Sequence, residues 1–144
     1  MGFWDSILGS EKQTEEIPEG RPTSNPFSVG LSFMPLRLSA KAKSSVNLVV
    51  KIKNISNSPQ LASVDALLPK NTMVGFDPAC INKAAEKRLG EMKPGASLEV
   101  PITIWSNSQT QDGTYPVEVT VFSHYIGYEK VLSYIKKSTS LRAV

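Results

Sequence analysis

The feature of this sequence that most constrains its fold is an alternation of apolar and polar residues with a period of two. The alternation is clearest over residues 46–53. Apolar residues there occupy one set of alternating positions, Val46, Leu48, Val50 and Ile52, and polar residues lie between them, Asn47, Lys51 and Lys53. The same period recurs over residues 98–105 and 115–122. Successive side chains of a β-strand point to opposite faces, so this pattern predicts strands with one face in a core and one in water.

Polar turns separate about seven such segments, which predicts an antiparallel β-sandwich. The turns contain Asn-Ser-Pro, Lys-Pro-Gly and Asp-Gly, and the Lys-Pro-Gly turn places Gly95 where a positive φ is needed. Pro35 and Pro101 interrupt two strands, and a proline cannot donate to the ladder, so both are expected at sheet edges. After Pro35 the inward phase is expected to move to Leu36 and Leu38.

One short helix is expected near residues 78–86. Asp77 and Pro78 suit the N-cap and the first helical position. Ile81, Ala84 and Ala85 would then share one helical face. Because the stretch is short, a strand over residues 77–88 stays open as the alternative.

Length and composition indicate one globular domain. The chain has 144 residues, of which 40% are hydrophobic and 20% charged, so a folded class fits better than disorder. The net charge of +3 is only mildly basic and does not by itself indicate nucleic-acid binding. Cys80 is the single cysteine, which excludes an intrachain disulfide and favours a reducing, cytoplasmic location. The N-terminus lacks the basic region of a signal peptide.

Residues 1–26 differ from the rest and are expected to form an amphipathic segment and a polar linker before a sandwich over residues 27–144. Four apolar residues have helical spacing, namely Phe3, Trp4, Ile7 and Leu8. A helix this short needs a surface to fold on, which is a membrane interface, a partner protein or its own sandwich. The acidic residues around it disfavour anionic lipid and favour a protein surface.

Four segments, VVKIKNISN, LLPKN, LGEMKPGASLEVPITI and DGTYPVEVTVFS, follow one another in an order typical of a known family. Over residues 44–124 this order resembles the immunoglobulin-like modules of the CARDB type found in archaeal and bacterial proteins. The resemblance implies an immunoglobulin-like sandwich with a role in adhesion, spacing or partner binding. It also implies that Tyr115 turns its hydroxyl to backbone at the start of strand F. Val50 and Val117 would stand where antibody domains carry a disulfide.

No arrangement of residues predicts catalysis, a cofactor or a metal site. His124 is the only histidine, and without a nucleophile elbow at Ser123 or Ser133 it is expected to lie at the surface end of a strand. One histidine and one cysteine offer no ligand pair at zinc-like spacing. Cys80 is expected to be a half-buried inert thiol, although a helix start nearby would lower its pKa. We therefore predict a non-enzyme.

Aromatic side chains are the first candidates for binding a partner. Trp105 and Phe122 are opposite in phase to the aliphatic residues of their strands. Together with Tyr125, Tyr128 and Tyr134 they either form an exposed interface or are covered by the last strand or the N-terminal segment. With Phe3, Trp4, Ile7 and Leu8, these aromatics indicate a protein-interaction or self-association module.

Basic residues of the C-terminal strand give an alternative function. They alternate with tyrosines in a manner that suits single-stranded nucleic acid, and they are Lys130, Lys136, Lys137 and Arg142. Lysines on a strand that guards an exposed sheet edge are the favoured interpretation. Attachment to a membrane surface through residues 2–8 is the remaining alternative.

Overall fold

A computed structural model describes residues 25–144, which form nine β-strands in two sheets. The strands are β1 (Phe27–Met34), β2 (Arg37–Leu38), β3 (Ser44–Asn54), β4 (Gln60–Leu67), β5 (Val74–Gly75), β6 (Ala84–Met92), β7 (Ser97–Ser106), β8 (Gly113–His124) and β9 (Val131–Ala143). One sheet has the order β1-β3-β7-β5 and the other β2-β9-β8-β4-β6. This is the strand arrangement of an immunoglobulin-like sandwich, with one additional strand at each edge of the second sheet, β2 at one edge and β6 at the other.

The core lies between the sheets and is built from the alternating residues. Along β3 and β8 every second side chain is buried, so that Val50 and Val117 are both fully buried in one core. The antiparallel register of β3 with β7 sets Val50 opposite Val100. Val50 and Val117 therefore both face the core, as the alternation of apolar residues predicted.

The interruption at Pro35 is the point at which the chain changes sheets. β1 pairs with β3 in the four-stranded sheet, whereas β2 pairs in parallel with the end of β9 in the other. Leu38 is buried as expected, but the expectation for Leu36 is wrong, because it lies in the break between the sheets with its side chain exposed. Pro101 lies on an open edge of β7, since β5 covers only Trp105 and Ser106.

The helix expected near residues 78–86 is not present. A single turn closes with the Cys80 amide donating to the Asp77 carbonyl, and Cys80 then takes a φ of 60°, which a continuing helix cannot accommodate. The Asp77 carboxylate accepts the amides of Ile81 and Asn82 at 2.9 and 2.8 Å, so it stabilises a turn. From Ala84 the chain runs as β6, paired with β4.

Two turn predictions are confirmed. Gly95 has a φ of 80°, and the Ala96 amide closes its turn on the Lys93 carbonyl at 2.9 Å. Tyr115 is buried, and its hydroxyl donates to the carbonyl of Gln111, four residues earlier. That bond ties the start of β8 to the preceding loop, as the resemblance implied.

The predicted N-terminal helical segment and nearly all of the linker lie outside the described residues. Within residues 25–144 no helix is long and apolar enough to span a bilayer.

Candidate interaction surface

The outer face of the five-stranded sheet brings together residues that are distant in the sequence. Ser63 of β4 is paired with Arg88 of β6 on one side and Phe122 of β8 on the other. Phe122 is paired in turn with Tyr134 of β9. These four residues thus form one row across four strands, and because paired residues share a face, their side chains all point away from the core.

Aromatic rings of this row contact one another and the residues that follow β8. The Phe122 ring lies 6.1 Å from the Tyr134 ring and 5.9 Å from the His124 imidazole, between ring centroids. His124 packs edge-on against Tyr128 at 5.1 Å. Such tilted and edge-to-face geometries are those that aromatic pairs prefer. Three of the five aromatic residues singled out in the sequence are thus in one connected cluster.

His124 is buried within this cluster, so its expected surface position is wrong. Its side chain is 7% exposed, and its Nδ1 lies 3.2 Å from the carbonyl oxygen of Lys130. A carbonyl only accepts, so Nδ1 donates to it, and Nε2 is hydrogen-bonded to the Ser63 hydroxyl at 2.7 Å. Neither Ser123 nor Ser133 is the partner; Ser123 faces the core and bonds to Gln60.

Tyr128 ties the connection between β8 and β9 to the edge strand β6. Its hydroxyl accepts the Gly90 amide at 2.9 Å, and the Arg88 guanidinium lies over its ring at 4.8 Å. Gly90 has a φ of 79° at the point where β6 slips register against β4, which turns its amide out of the ladder. The turn after β8 is therefore fixed at both its histidine and its tyrosine.

The turn and the start of β9 carry an unusual density of exposed apolar side chains. In residues 25–144, twelve large hydrophobic side chains are exposed, and five of them lie within residues 125–134: Tyr125, Ile126, Val131, Leu132 and Tyr134. We refer to these five residues, together with Phe122 and Tyr128, as the aromatic patch. A concentration of exposed apolar side chains of this kind marks interaction sites in soluble proteins.

Ile126 is the most exposed residue of the patch and has an unfavourable backbone conformation. It is 84% exposed and has a φ of 67°, a region that β-branched residues rarely occupy. The neighbouring amides are bonded, Gly127 to the Tyr125 carbonyl and Tyr125 to the Lys130 carbonyl, so the turn holds this conformation. The fold thus keeps an isoleucine in water at a position that glycine would fill with less strain.

Trp105 is separated from the other aromatic residues. It lies on β7, in the opposite sheet, where the Lys43 ammonium sits 5.9 Å from its ring centroid. Its carbonyl accepts the Cys80 thiol at 3.3 Å. The structure therefore places Phe122, Tyr125, Tyr128 and Tyr134 in one region and Trp105 in another.

The basic residues of β9 do not share one face. Lys136 pairs with Thr120 on the outer face and lies 3.7 Å from the Glu118 carboxylate, whereas the next residue, Lys137, points the opposite way. The outer strand edge is unpaired along residues 131–141 of β9 within the described chain, because β2 covers only its last two residues. Lysines at such an edge oppose pairing with further strands.

Two further groups bear on chemistry. Cys80 is 3% exposed, and burial raises the pKa of its thiol, the effect of Asp77 adding to this and that of Lys83 opposing it. Cys80 is thus more buried than the half-buried position expected from the sequence, and its inertness stays a prediction. Asp65, on the outer face beside the cluster, has a buried Oδ1 that finds no hydrogen-bond partner among residues 25–144. Its pKa is raised by burial and by Glu86, and lowered by His124. Among residues 25–144, no three histidine, cysteine or acidic side chains are grouped to hold a metal.

Sequence reasoning missed Ile126, Val131, Leu132 and the bond between His124 and Ser63. Turns between strands are normally built from glycine, proline, asparagine, aspartate and serine, whereas this one reads Tyr-Ile-Gly-Tyr. That unusual composition could have indicated a functional turn from the sequence alone. The hydrogen bond between Ser63 and His124 could not have been predicted, because these residues are 61 positions apart and meet only through the register of their strands.

No family model and no curated protein matches this chain. Among solved structures, a fragment of Escherichia coli alpha-2-macroglobulin from domain MG7 to the C-terminus is similar, with TM-score 0.55 and 17% identity, covering 83% of this chain and 16% of that one. A FixG-related protein from Vibrio parahaemolyticus has TM-score 0.51 and 11% identity, covering 83% and 98%. The PapD-like domain 7 of human CEP192 has TM-score 0.46 and 12% identity, covering 94% and 97%. The first two likenesses establish the immunoglobulin-like β-sandwich fold.

Proposed function

We propose that this protein is a non-catalytic interaction module that binds a protein partner, or a second copy of itself, through the aromatic patch. The observation that carries the proposal is the concentration of exposed apolar side chains in residues 125–134, in the turn after β8 and at the start of β9. Aromatic anchors surrounded by aliphatic residues are the usual composition of protein interfaces with high binding energy.

The strained backbone at Ile126 supports the proposal. A non-glycine residue in this region costs about 1–3 kcal/mol. An isoleucine whose side chain is in water recovers none of that cost by burial in the isolated domain. A partner that covers the patch would recover it, because each large apolar side chain removed from water contributes about 1.5–3 kcal/mol.

The surroundings of the one serine–histidine pair support a non-catalytic role. Ser63 is 2% exposed, and its hydroxyl is already bonded to His124. A nucleophilic serine must reach the substrate, and donors for an oxyanion must converge beside it. Ser63 instead fixes the imidazole on which Phe122 and Tyr128 pack.

The test replaces two exposed apolar residues of the patch by glutamate, in Ile126→Glu with Leu132→Glu. The matched control is Leu36→Glu with Ile81→Glu, whose side chains are comparably exposed but lie outside the patch. The tagged full-length proteins would be used to capture binding proteins, and their masses measured by sedimentation. We expect the patch variant to lose at least about tenfold in affinity for captured partners or for itself, because interface anchors contribute 1.4 kcal/mol or more. Retention of every partner and of the wild-type mass by the patch variant would refute the proposal.

The resemblance of residues 44–124 to CARDB-type modules supports a finer proposal, that this is a domain of that group. An experimental structure that superposes on CARDB domains no better than on other immunoglobulin-like domains would contradict it. We also propose a cytoplasmic location, supported by the single cysteine of the chain, Cys80, which cannot form an intrachain disulfide. Fractionation of cells that express the tagged full chain tests that location.

A further inference from the structure

We propose that the aromatic patch is covered by residues 3–8 of the same chain. The inference concerns the regulation of the patch assigned above and rests on that proposed function. The occupant is the apolar segment of Phe3, Trp4, Ile7 and Leu8, which lies outside the described residues. The position at which the chain enters the sandwich and the length of the linker both support this occupant.

The position at which the chain enters the sandwich supports a short path to the patch. β1 begins at Phe27, paired with Asn54, and the Asn54 side chain bonds to the Met92 carbonyl. Met92 is paired with Gln60 at the start of β4, where the next residue is paired with His124. The start of β1 and the end of β8 are therefore at the same end of the sandwich.

The side of the sandwich is also the same. β9 lies beside β1 across the gap between the sheets, and β2, which continues from β1, runs parallel to β9. Both β1 and β9 consequently begin at one corner of the molecule. Val131, Leu132 and Tyr134, at the beginning of β9, lie next to the corner where the chain preceding Asn25 enters.

The linker between Leu8 and Asn25 is long enough for residues 3–8 to reach the aromatic patch. Sixteen residues separate Leu8 from Asn25. An extended chain of that length spans at most about 50 Å, and a flexible one has a root-mean-square length of about 20–25 Å. Sheets in a sandwich are about 10 Å apart and neighbouring strands about 4.8 Å apart, so the path around one edge is well within reach.

The consequence is a surface that the protein itself keeps from water until a partner displaces the segment. If the segment covers the patch about 90% of the time, its removal strengthens partner binding about tenfold, because only the uncovered fraction is competent to bind. The same cover limits unspecific association of exposed aromatic side chains.

The first test uses the full chain with Trp105→Phe, which leaves Trp4 as its only tryptophan. We expect blue-shifted Trp4 emission and weak quenching by acrylamide. Adding Ile126→Glu with Leu132→Glu should shift the emission to the red and strengthen quenching, whereas Leu36→Glu with Ile81→Glu should change neither. Trp4 emission typical of water before any patch substitution would overturn the inference, as would protection that the patch variant retains.

The second test keeps Trp105 and places a photo-crosslinking benzophenone residue at position 4 of the full chain. We expect crosslinked peptides from residues 122–136 at the mass of a monomer. Crosslinks at the mass of a dimer would show a second copy as the occupant and overturn the inference, and so would crosslinks to other faces. Because Trp4 reports on the segment and partner capture reports on the patch, failure of this inference is distinguishable from failure of the proposed function.

Discussion

Two connections in this sandwich each hold a residue other than glycine at positive φ, and they use it differently. In the loop of residues 76–83, between β5 and β6, Cys80 has a φ of 60°, and its side chain is buried with its thiol bonded to the Trp105 carbonyl. In the turn after β8, Ile126 has a φ of 67° and points into water. The first conformation is explained by the packing of the domain itself. The second is not, which is why we assign it to binding.

The first loop is held by a single ammonium group. The Lys83 Nζ donates to the carbonyls of Thr72 at 2.7 Å, Cys80 at 2.8 Å and Val74. Gly75 lies against the Cys80 backbone so closely that a side chain does not fit. Every unusual feature of this loop thus has a partner inside the domain, and the comparison predicts that substitutions here cost stability whereas those in the patch do not.

The largest effect is expected for Gly75→Ala. A Cβ at this position would lie 2.5 Å from Cys80 Cα and 2.7 Å from its carbonyl carbon, both of them backbone atoms. We expect a loss of about 3 kcal/mol in the free energy of unfolding by urea, at the upper end for overpacking. Gly30→Ala is the control, since a Cβ there meets nothing within 4 Å. Equal stability of the two variants would show that the loop adapts more easily than its geometry indicates.

The second largest loss of stability is expected for Lys83→Met. The substitution keeps the length of the side chain and leaves three carbonyl groups without their donor, for an expected loss of about 2 kcal/mol. Lys87→Met serves as the control, because the Lys87 Nζ makes one bond, to the Pro101 carbonyl, at an exposed site. Thermal unfolding of both would separate them, and a Lys83 variant as stable as the Lys87 variant would contradict the role given to the ammonium.

Ile126→Gly tests the turn after β8, and here the substitution is expected to increase the stability of the domain. In a chain that begins at Thr23, where residues 3–8 cannot cover the patch, relief of the left-handed backbone, less the added entropy of a glycine in the unfolded chain, should stabilise the domain by about 0.5–1 kcal/mol. Ile81→Gly, at an equally exposed isoleucine without a positive φ, should instead be neutral or destabilising. If Ile126→Gly destabilised the domain by more than its control, the side chain would have a structural role that the contacts do not indicate.

Asp65→Asn should produce the smallest change, and one that depends on pH. Burial and Glu86 raise the pKa of this carboxyl, so the folded state favours the protonated form. Its contribution to stability is therefore complete below the ordinary pKa of 3.8 and is lost as the pH rises through the higher folded value. At neutral pH the asparagine variant should have a free energy of unfolding higher by about 0.5 kcal/mol, a gain similar to those from optimising surface charges in other proteins. The gain should vanish in acid, and a gain that persisted at pH 3 would exclude the charge as its cause.

The sequence predicted those parts of the fold that depend on local pattern. The alternation of Val46, Leu48, Val50 and Ile52 placed the core face of β3, and the spacing of glycine and tyrosine around Tyr115 placed the corner of β8. The expected helix failed because a favourable cap at Asp77 says nothing about the residue that ends the first turn. There Cys80 adopts a left-handed conformation, for which its residue type gives no indication.

The candidate site could be predicted only in part. Aromatic residues out of phase with their strands were visible, and Phe122 and Tyr134 do lie on one outer face. Their contact, and the separation of Trp105 from them, depend on which strand enters which sheet. The same holds for Ser63 and His124, since pairing between distant strands sets their register and no local pattern encodes it.

Because Cys80 is buried, the rate at which its thiol reacts with an added reagent reports on motion of the loop around it. The chain has one thiol, and that thiol is enclosed by the loop that Lys83 holds closed, so an alkylating reagent reaches it only when the loop opens. The rate of labelling therefore reports how often this part of the sandwich opens locally, without unfolding of the whole domain. It would also show whether a partner seated on the distant aromatic patch slows motion at the opposite sheet.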